Sequence, residues 1–205
     1  MPKLTPLTID GTPRPKIGAL VLAAGASSRF GHPKQLVAYR GEPLVRRAAA
    51  AAHAAGAAPV VVVLGAHAAA VAPALAGLPG LTVMTHEGWA QGLASSLGAG
   101  IRALTAMARC DGVLITLADQ PLVDATALRA LVAVFDDTRR IVAAEYGGAV
   151  GVPALIGQEH LHELLQLSGD AGAGRWLRAR LPAVTRVPVP GAAVDVDTLD
   201  DLGRL

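Results

Sequence analysis

The sequence predicts a three-layer α/β fold with a doubly wound, mostly parallel sheet. Three observations predict it. Short apolar runs alternate with helix-length segments along most of the chain. The first run, Ile17–Ala23, ends at small residues and Gly25, as a buried parallel strand does. Polar and charged residues with chemical capacity then gather just after such runs. That is where open parallel sheets bind their ligands.

In chain order, Ile17–Ala23 reads as the first strand. Pro43 to Ala55 is Ala-rich and helical, with Gly56 as its stop. Pro59–Leu64 is a Val-rich strand, His67–Leu75 a helix and Leu81–Thr85 a short strand. Leu93–Ala108 is helical and opened by Gly92. Gly112–Leu117 is a strand, and Asp124–Phe135 a helix with Asp124 as its N-cap. Ile141–Ala144 is a strand; His160–Leu167 and Arg175–Leu181 are helical. Val194 to Leu205 reads as a strand tip followed by a short helix. The stretch Gly147 to Gly174 holds seven glycines and is the expected place for an inserted or mobile element.

Length and composition bound the rest. The chain has 205 residues, which fits one domain with its own core. Residues 1–15, rich in Pro, read as an N-terminal extension, and 16–205 as a single domain. The net charge of +2 and the 3% aromatic content argue against a nucleic-acid partner. No apolar run is clean enough to span a membrane, and no signal peptide is visible. A lone cysteine, Cys110, reads as a packed thiol and fits a reducing, cytoplasmic setting. His160 and His162 lie two apart on a helix and do not form a metal pair.

Four segments carry the chemistry. Residues 22–34 read LAAGASSRFGHPK and directly follow a strand. Small residues there let backbone N–H groups approach phosphate oxygens, and Arg29 and Lys34 add positive charge. It is neither a Walker A loop nor GxGxxG, which argues against a dinucleotide oxidoreductase. Leu117-Ala118-Asp119-Gln120-Pro121 places a carboxylate just past a strand, where it can hold Mg²⁺ or cap a turn. Asp195-Val196-Asp197 puts two carboxylates on one face of an extended segment, available to a metal or to a helix start. Residues 88–96, GWAQGLASS, open a helix whose free N–H groups and hydroxyls can read a base or ribose, or simply form an N-cap.

In this order the four segments resemble the molybdenum cofactor nucleotidyltransferases, and the molybdopterin cytidylyltransferases in particular. The matching text is LAAGASSRFGHPK, GWAQGLASSL, LADQP and VDVDTLDDL, spread over about residues 17 to 205. The resemblance implies a nucleotide-diphospho-sugar-transferase-like fold, Mg²⁺, and transfer of CMP from CTP to a phosphorylated acceptor, molybdenum-bound molybdopterin. It implies catalytic roles for Arg29, Lys34 and Asp119. It implies nucleotide contacts from Leu22, Ala23, Ala24, Gly25, Ala26, Ser27, Ser28, Arg29 and Lys34, and from Gly92, Leu93, Ala94 and Ser95. Asp119, with Asp195 or Asp197, would hold the metal. A molybdoenzyme client or insertion chaperone would be a protein partner. LAAG, in place of the LAGG of guanylyl-transferring relatives, favours CTP. Two segments depart from the family. Val152 stands where His or Asn precedes the proline of the acceptor loop. Gly174 stands where GDxGAR has its arginine, with Arg175 one position late. Alternatives are another small phosphorylated acceptor, such as a sugar or polyol phosphate, or a non-catalytic cofactor carrier.

Overall fold

The computed structural model describes residues 14–28, 30–198, 201 and 203. Its centre is a seven-stranded sheet. β1 (Ile17–Ala23) is flanked by β4 (Val60–Leu64) and β6 (Gly112–Leu117), and β5 (Leu81–Thr85) lies beyond β4. These four strands run parallel. On the other side of β6 come β8 (Ala149–Gly157), β7 (Ile141–Tyr146) and β9 (Val184–Pro188). β8 runs antiparallel to β6 and β7, while β7 and β9 are parallel. A separate ribbon pairs β2 (Ala38–Tyr39) with β3 (Glu42–Pro43).

Strand alternation sorts the core into two layers. Ile17, Ala19, Val21 and Ala23 face one side, with Val45, Ala49 and Ala52 of α1 (Leu44–Ala54) and Leu128 and Leu131 of α4 (Ala125–Ala133). Leu20 and Leu22 face the other, with Leu97, Ile101 and Leu104 of α3 (Leu93–Met107). This second layer also takes Leu161 and Leu164 of α5 (Leu161–Leu164) and Trp176 and Leu177 of α6 (Ala173–Arg178). Leu20, Leu97, Ile101 and Leu104 are fully buried, and each such side chain contributes about 1.5–3 kcal/mol. Close approach of α3 to β1 needs Gly100, where a Cβ would stand 2.2 Å from Leu20 Cδ1. Asp124 caps α4 by accepting from the Ala127 N–H at 2.9 Å, as the sequence predicts.

Four expectations are corrected. The Gly-rich stretch after Gly147 is not an insertion: it supplies β8, which fills the sheet between β6 and β7. Gly147 and Gly148 adopt positive φ and turn β7 into β8, while Pro153 falls where the ladder slips between Ala143 and Ala144. A proline is tolerated at such a bulge, so it does not exclude a central strand. β9 arises where no strand was expected. Val194 to Asp197 pairs with no strand among the described residues. Its Val196 is instead buried with Phe30, Val37, Tyr39 and Leu44. The helix start at Thr198 holds in a local sense: Asp201 reaches back to the Thr198 N–H and hydroxyl. The expected helix His67–Leu75 is α2 (Ala68–Val71), tightened into a 3-10 turn that contains Pro73. Among the described residues, no helix is long and apolar enough to cross a membrane.

Candidate active site

The chain leaves β1 toward β4 and β5, then returns to β6 on β1's other side. Such a reversal opens a crevice at the carboxyl ends of the two strands. The loops after β1 and β6 meet over that crevice. A cavity of about 430 Å³ fills it, walled by Leu22, Ala23, Ala24, Gly25 and Ala26 on one side and Leu117, Ala118 and Asp119 on another. Gly92, Leu93 and Ser96 close it from the start of α3, with Trp89 and Ala90 before them and Asp170 beside Gly92.

Lys34 lies at one end on a 3-10 turn, Lys34–Leu36. Its Nζ donates to Asp119 Oδ2 at 2.6 Å and to Asp197 Oδ1 at 2.9 Å. Burial, the largest influence on this ammonium, works to lower its pKa. The charges and hydrogen bonds of Asp119 and Asp197 outweigh it, and the pKa stands above its usual 10.5. Asp119 sits just past β6, and its backbone carbonyl takes the Val196 N–H at 2.9 Å. That bond ties the C-terminal carboxylates to the strand end. Asp195 reaches the surface but is crowded on its inner side. Burial, then the charge of Asp119, pushes its carboxyl up to about 6, against a hydrogen bond from Gln120.

The acid cluster fits a divalent cation on two grounds. Asp119 Oδ1 is buried and has no hydrogen-bond partner among the described residues. Asp119 and Asp197 already converge on one cationic atom, the Lys34 Nζ. No group of three or more Asp, Glu, His or Cys side chains among the described residues forms a ready-made metal cage. A two-carboxylate site that leaves positions to phosphate and water suits Mg²⁺.

The structure brings Leu22 through Ala26, Lys34, Gly92, Leu93 and Asp119 to one cavity, with Asp195 and Asp197 beside Asp119. Arg29 lies outside the described residues. Ser27 and Ser28 do not line the cavity. Ser27 Oγ instead accepts the Lys34 N–H at 3.1 Å and donates to Gln35 Oε1 at 3.3 Å. Ala94 and Ser95 also lie off the cavity wall. Ala94 is buried and gives its N–H to the Gly169 carbonyl at 3.0 Å. Ser95 turns its hydroxyl to the Gly88 carbonyl at 3.0 Å and to His86 Nε2 at 2.5 Å. One helical step rotates the wall to the next residue, so Ser96 lines the cavity in their place.

Two contributors escaped the sequence reading, Gln35 and Asp170, while Trp89 and Ser96 lie in the segment 88–96 that it singles out. Gln35 is 4% exposed and holds the loop after β1 from behind. Its place directly after Lys34 was the available signal. Asp170 reaches the cavity because Gly92 and Gly169 touch: a Cβ on Gly92, whose φ is +102°, would stand 2.4 Å from the Gly169 oxygen. Of the two departures from the family pattern, Val152 offers its carbonyl to Gln120 Nε2 at 3.3 Å. Arg175 is exposed, away from the cavity, in a groove with His162 and Trp176.

Comparison with known proteins agrees with this geometry. A family model described as the MobA-like NTP transferase domain matches residues 19–184. Nicotine blue oxidoreductase of Paenarthrobacter nicotinovorans is 33% identical over 206 residues, covering 95% of this chain and 98% of that protein. Rv0371c from Mycobacterium tuberculosis is similar at a TM-score of 0.80 and 33% identity, over 92% of this chain and 97% of that one. A structure of Rv0371c in complex with manganese gives a TM-score of 0.76 at 31% identity, over 93% and 97%. A nucleotidyl transferase from Methanothermobacter matches with a TM-score of 0.78 and 25% identity, over 92% and 95%. With its family model spanning most of the sheet and both walls of the cavity, the chain belongs to the MobA-like NTP transferase family.

Proposed function

We propose that the protein transfers CMP from CTP to a phosphorylated acceptor, with molybdenum-bound molybdopterin as the acceptor, and releases pyrophosphate. The observation that carries the reading is the meeting of Lys34 and Asp119 at the mouth of β1 and β6, beside a loop of small residues. The loop after β1 takes the phosphates, and Lys34 and Arg29 stabilise the pyrophosphate as charge builds on it. An acceptor phosphate oxygen attacks the α-phosphorus in line. The bond from that phosphorus to the bridging oxygen breaks, and pyrophosphate leaves with the electron pair. The nucleophile is already anionic, so no general base is needed, and the residues act by positioning and electrostatics. Asp119 with Asp197, and Asp195 beside them, would hold a divalent cation, Mg²⁺ in this reading. Such an ion neutralises phosphate charge during displacement. The manganese complex of Rv0371c supports a divalent ion in a protein of this kind. A cytoplasmic location and a molybdoenzyme or insertion chaperone as recipient belong to the same proposal.

The test is pyrophosphate release measured with each of the four NTPs, against molybdopterin and against simple sugar and polyol phosphates. CTP with molybdopterin is expected to be the fastest pair. Release with a sugar phosphate alone would move the acceptor assignment. Release with no pair would sink the transferase reading. A second reading rests on the name of the Paenarthrobacter relative, which is 33% identical across nearly its whole length. On that reading the cavity takes a reducible substrate and a hydride donor. Consumption of NADH or NADPH with a quinone-like dye, and no pyrophosphate from any NTP, would replace the first reading with this one.

A further inference from the structure

The chemistry of the loop after β1 is decided by which way its peptide groups face. A planar trans peptide points its carbonyl and the following N–H in opposite directions. A carbonyl held inside therefore presents the next N–H outward. Every carbonyl from Ala23 to Ser27 is held by the protein. Gln35 Nε2 donates to the Ala23 oxygen at 2.9 Å and to the Gly25 oxygen at 2.8 Å. The Ala66 N–H takes the Ala24 oxygen at 3.3 Å, and the Phe30 N–H the Ser27 oxygen at 2.8 Å. His67 Nε2 lies 2.8 Å from the Ala26 oxygen. Among the described residues, no acceptor takes the N–H of Gly25, Ala26 or Ser27.

Gln35 stands out within this set. One buried side chain governs two alternate peptides, and it faces Gly25, where the absence of a Cβ makes a peptide flip least costly. Its own orientation is fixed too. Oε1 accepts from Ser27 Oγ, whose oxygen accepts the Lys34 N–H. A reversed amide would set an oxygen against two carbonyls.

We infer that Gln35 is a positioning residue that turns the Ala23 and Gly25 carbonyls inward, so that the loop presents N–H groups, and not carbonyl oxygens, to a phosphate-bearing ligand. The inference rests on the phosphate-binding reading of this loop but not on the identity of the nucleotide. Without the amide, the peptide joining Gly25 to Ala26 is free to rotate and bring an oxygen toward the anion.

The test uses isothermal titration of the full chain, in Mg²⁺ buffer, with inorganic pyrophosphate, CTP and cytidine as probes. Gln35→Met keeps the size and removes both donors. It is expected to weaken pyrophosphate and CTP by about tenfold or more, while cytidine binding stays within about twofold. A merely structural role would weaken all three probes together. Gln35→Glu guards against a folding defect in the first variant: it stays polar, and its carboxylate lacks both N–H donors, so it must show the same selective loss. Pyrophosphate binding within twofold of the parent in a folded variant would overturn the inference, as would a parent that binds no pyrophosphate. A parent that binds pyrophosphate but not CTP would sink the cytidylyl reading and leave this inference standing.

Discussion

Lys34 and Asp119 form an ion pair whose strength can be measured without any substrate. Their side chains are 18% and 22% exposed, and the second acceptor, Asp197, is 57% exposed. Breaking a buried pair by removing one partner costs about 3–5 kcal/mol, and an exposed pair is worth about 0–1 kcal/mol. This pair lies between those limits, so Lys34→Met should destabilise the fold by about 2 kcal/mol. In a chain of this size that lowers Tm by about 4–8 °C. The cost includes a stranded carboxylate, because Asp119 Oδ1 already lacks a partner and Asp195 stands close by. Asp119→Asn in the Lys34→Met background should therefore recover part of the loss, where a sum of the single effects predicts a further fall. The assay is a double-mutant cycle by urea denaturation at neutral pH. Additivity within about 0.5 kcal/mol would refute the coupling. The sign with pH also follows. The folded pKa of Lys34 is raised above 10.5, so its contribution is complete below that value. It is lost only as pH rises through the folded pKa.

Four further outcomes are expected. Asp119→Asn should lower pyrophosphate release by about two orders of magnitude or more at saturating Mg²⁺, since one ligand or charge at the reacting phosphates is worth about 3 kcal/mol; near-parental turnover would remove Asp119 from the reaction. Arg29→Ala should raise the KM for the NTP and lower kcat together, and unchanged NTP kinetics would make Arg29 a surface cation. Gly92→Ala should cost about 2 kcal/mol or more, read as a fall in Tm, because of its φ of +102° and the Gly169 oxygen beside it. Ala24→Gly should relax discrimination against GTP by about tenfold in kcat/KM, since the Ala24 methyl lines the cavity; an unaltered CTP preference would detach selectivity from this side chain.

Much of the fold was legible because buried strands and amphipathic helices write their periods into the chain. Ile17–Ala23, Leu81–Thr85 and Gly112–Leu117 occur with the bounds expected of them. β8 was not legible, because its strand pattern is broken by Gly151 and Pro153. Both breaks have structural causes that single-strand reasoning lacks. A side chain on Gly151 would collide with the Tyr146 hydroxyl across the hairpin, and Pro153 sits in the slip of the ladder. The C-terminal carboxylates misled in a similar way. Alternation of Asp195, Val196 and Asp197 is real, but Val196 alternates into a small core with Phe30 and Tyr39, not into a sheet.

At the site, the chain shows which side chains follow the strands but not how the peptides between them are oriented. Lys34 and Asp119 are 85 positions apart; Asp119 stands just past β6 and Lys34 at the far end of the loop after β1, so the pairing of β1 with β6 and the path of that loop bring them together. Ser95 and Ser96 are adjacent and chemically identical, and only the rotation of α3 against Gly88 and His86 decides which one faces the cavity. The loop of small residues is harder still. Ala23, Ala24, Gly25 and Ala26 carry no polar side chain, so a ligand in this cavity would meet their backbone, which can show it either sign of dipole. That sign is set ten to twelve positions downstream, where Gln35 donates to the Ala23 and Gly25 carbonyls. A phosphate-binding backbone therefore needs its small residues and also a buried donor behind them. The spacing from Gly25 to Gln35 carries that second half of the information.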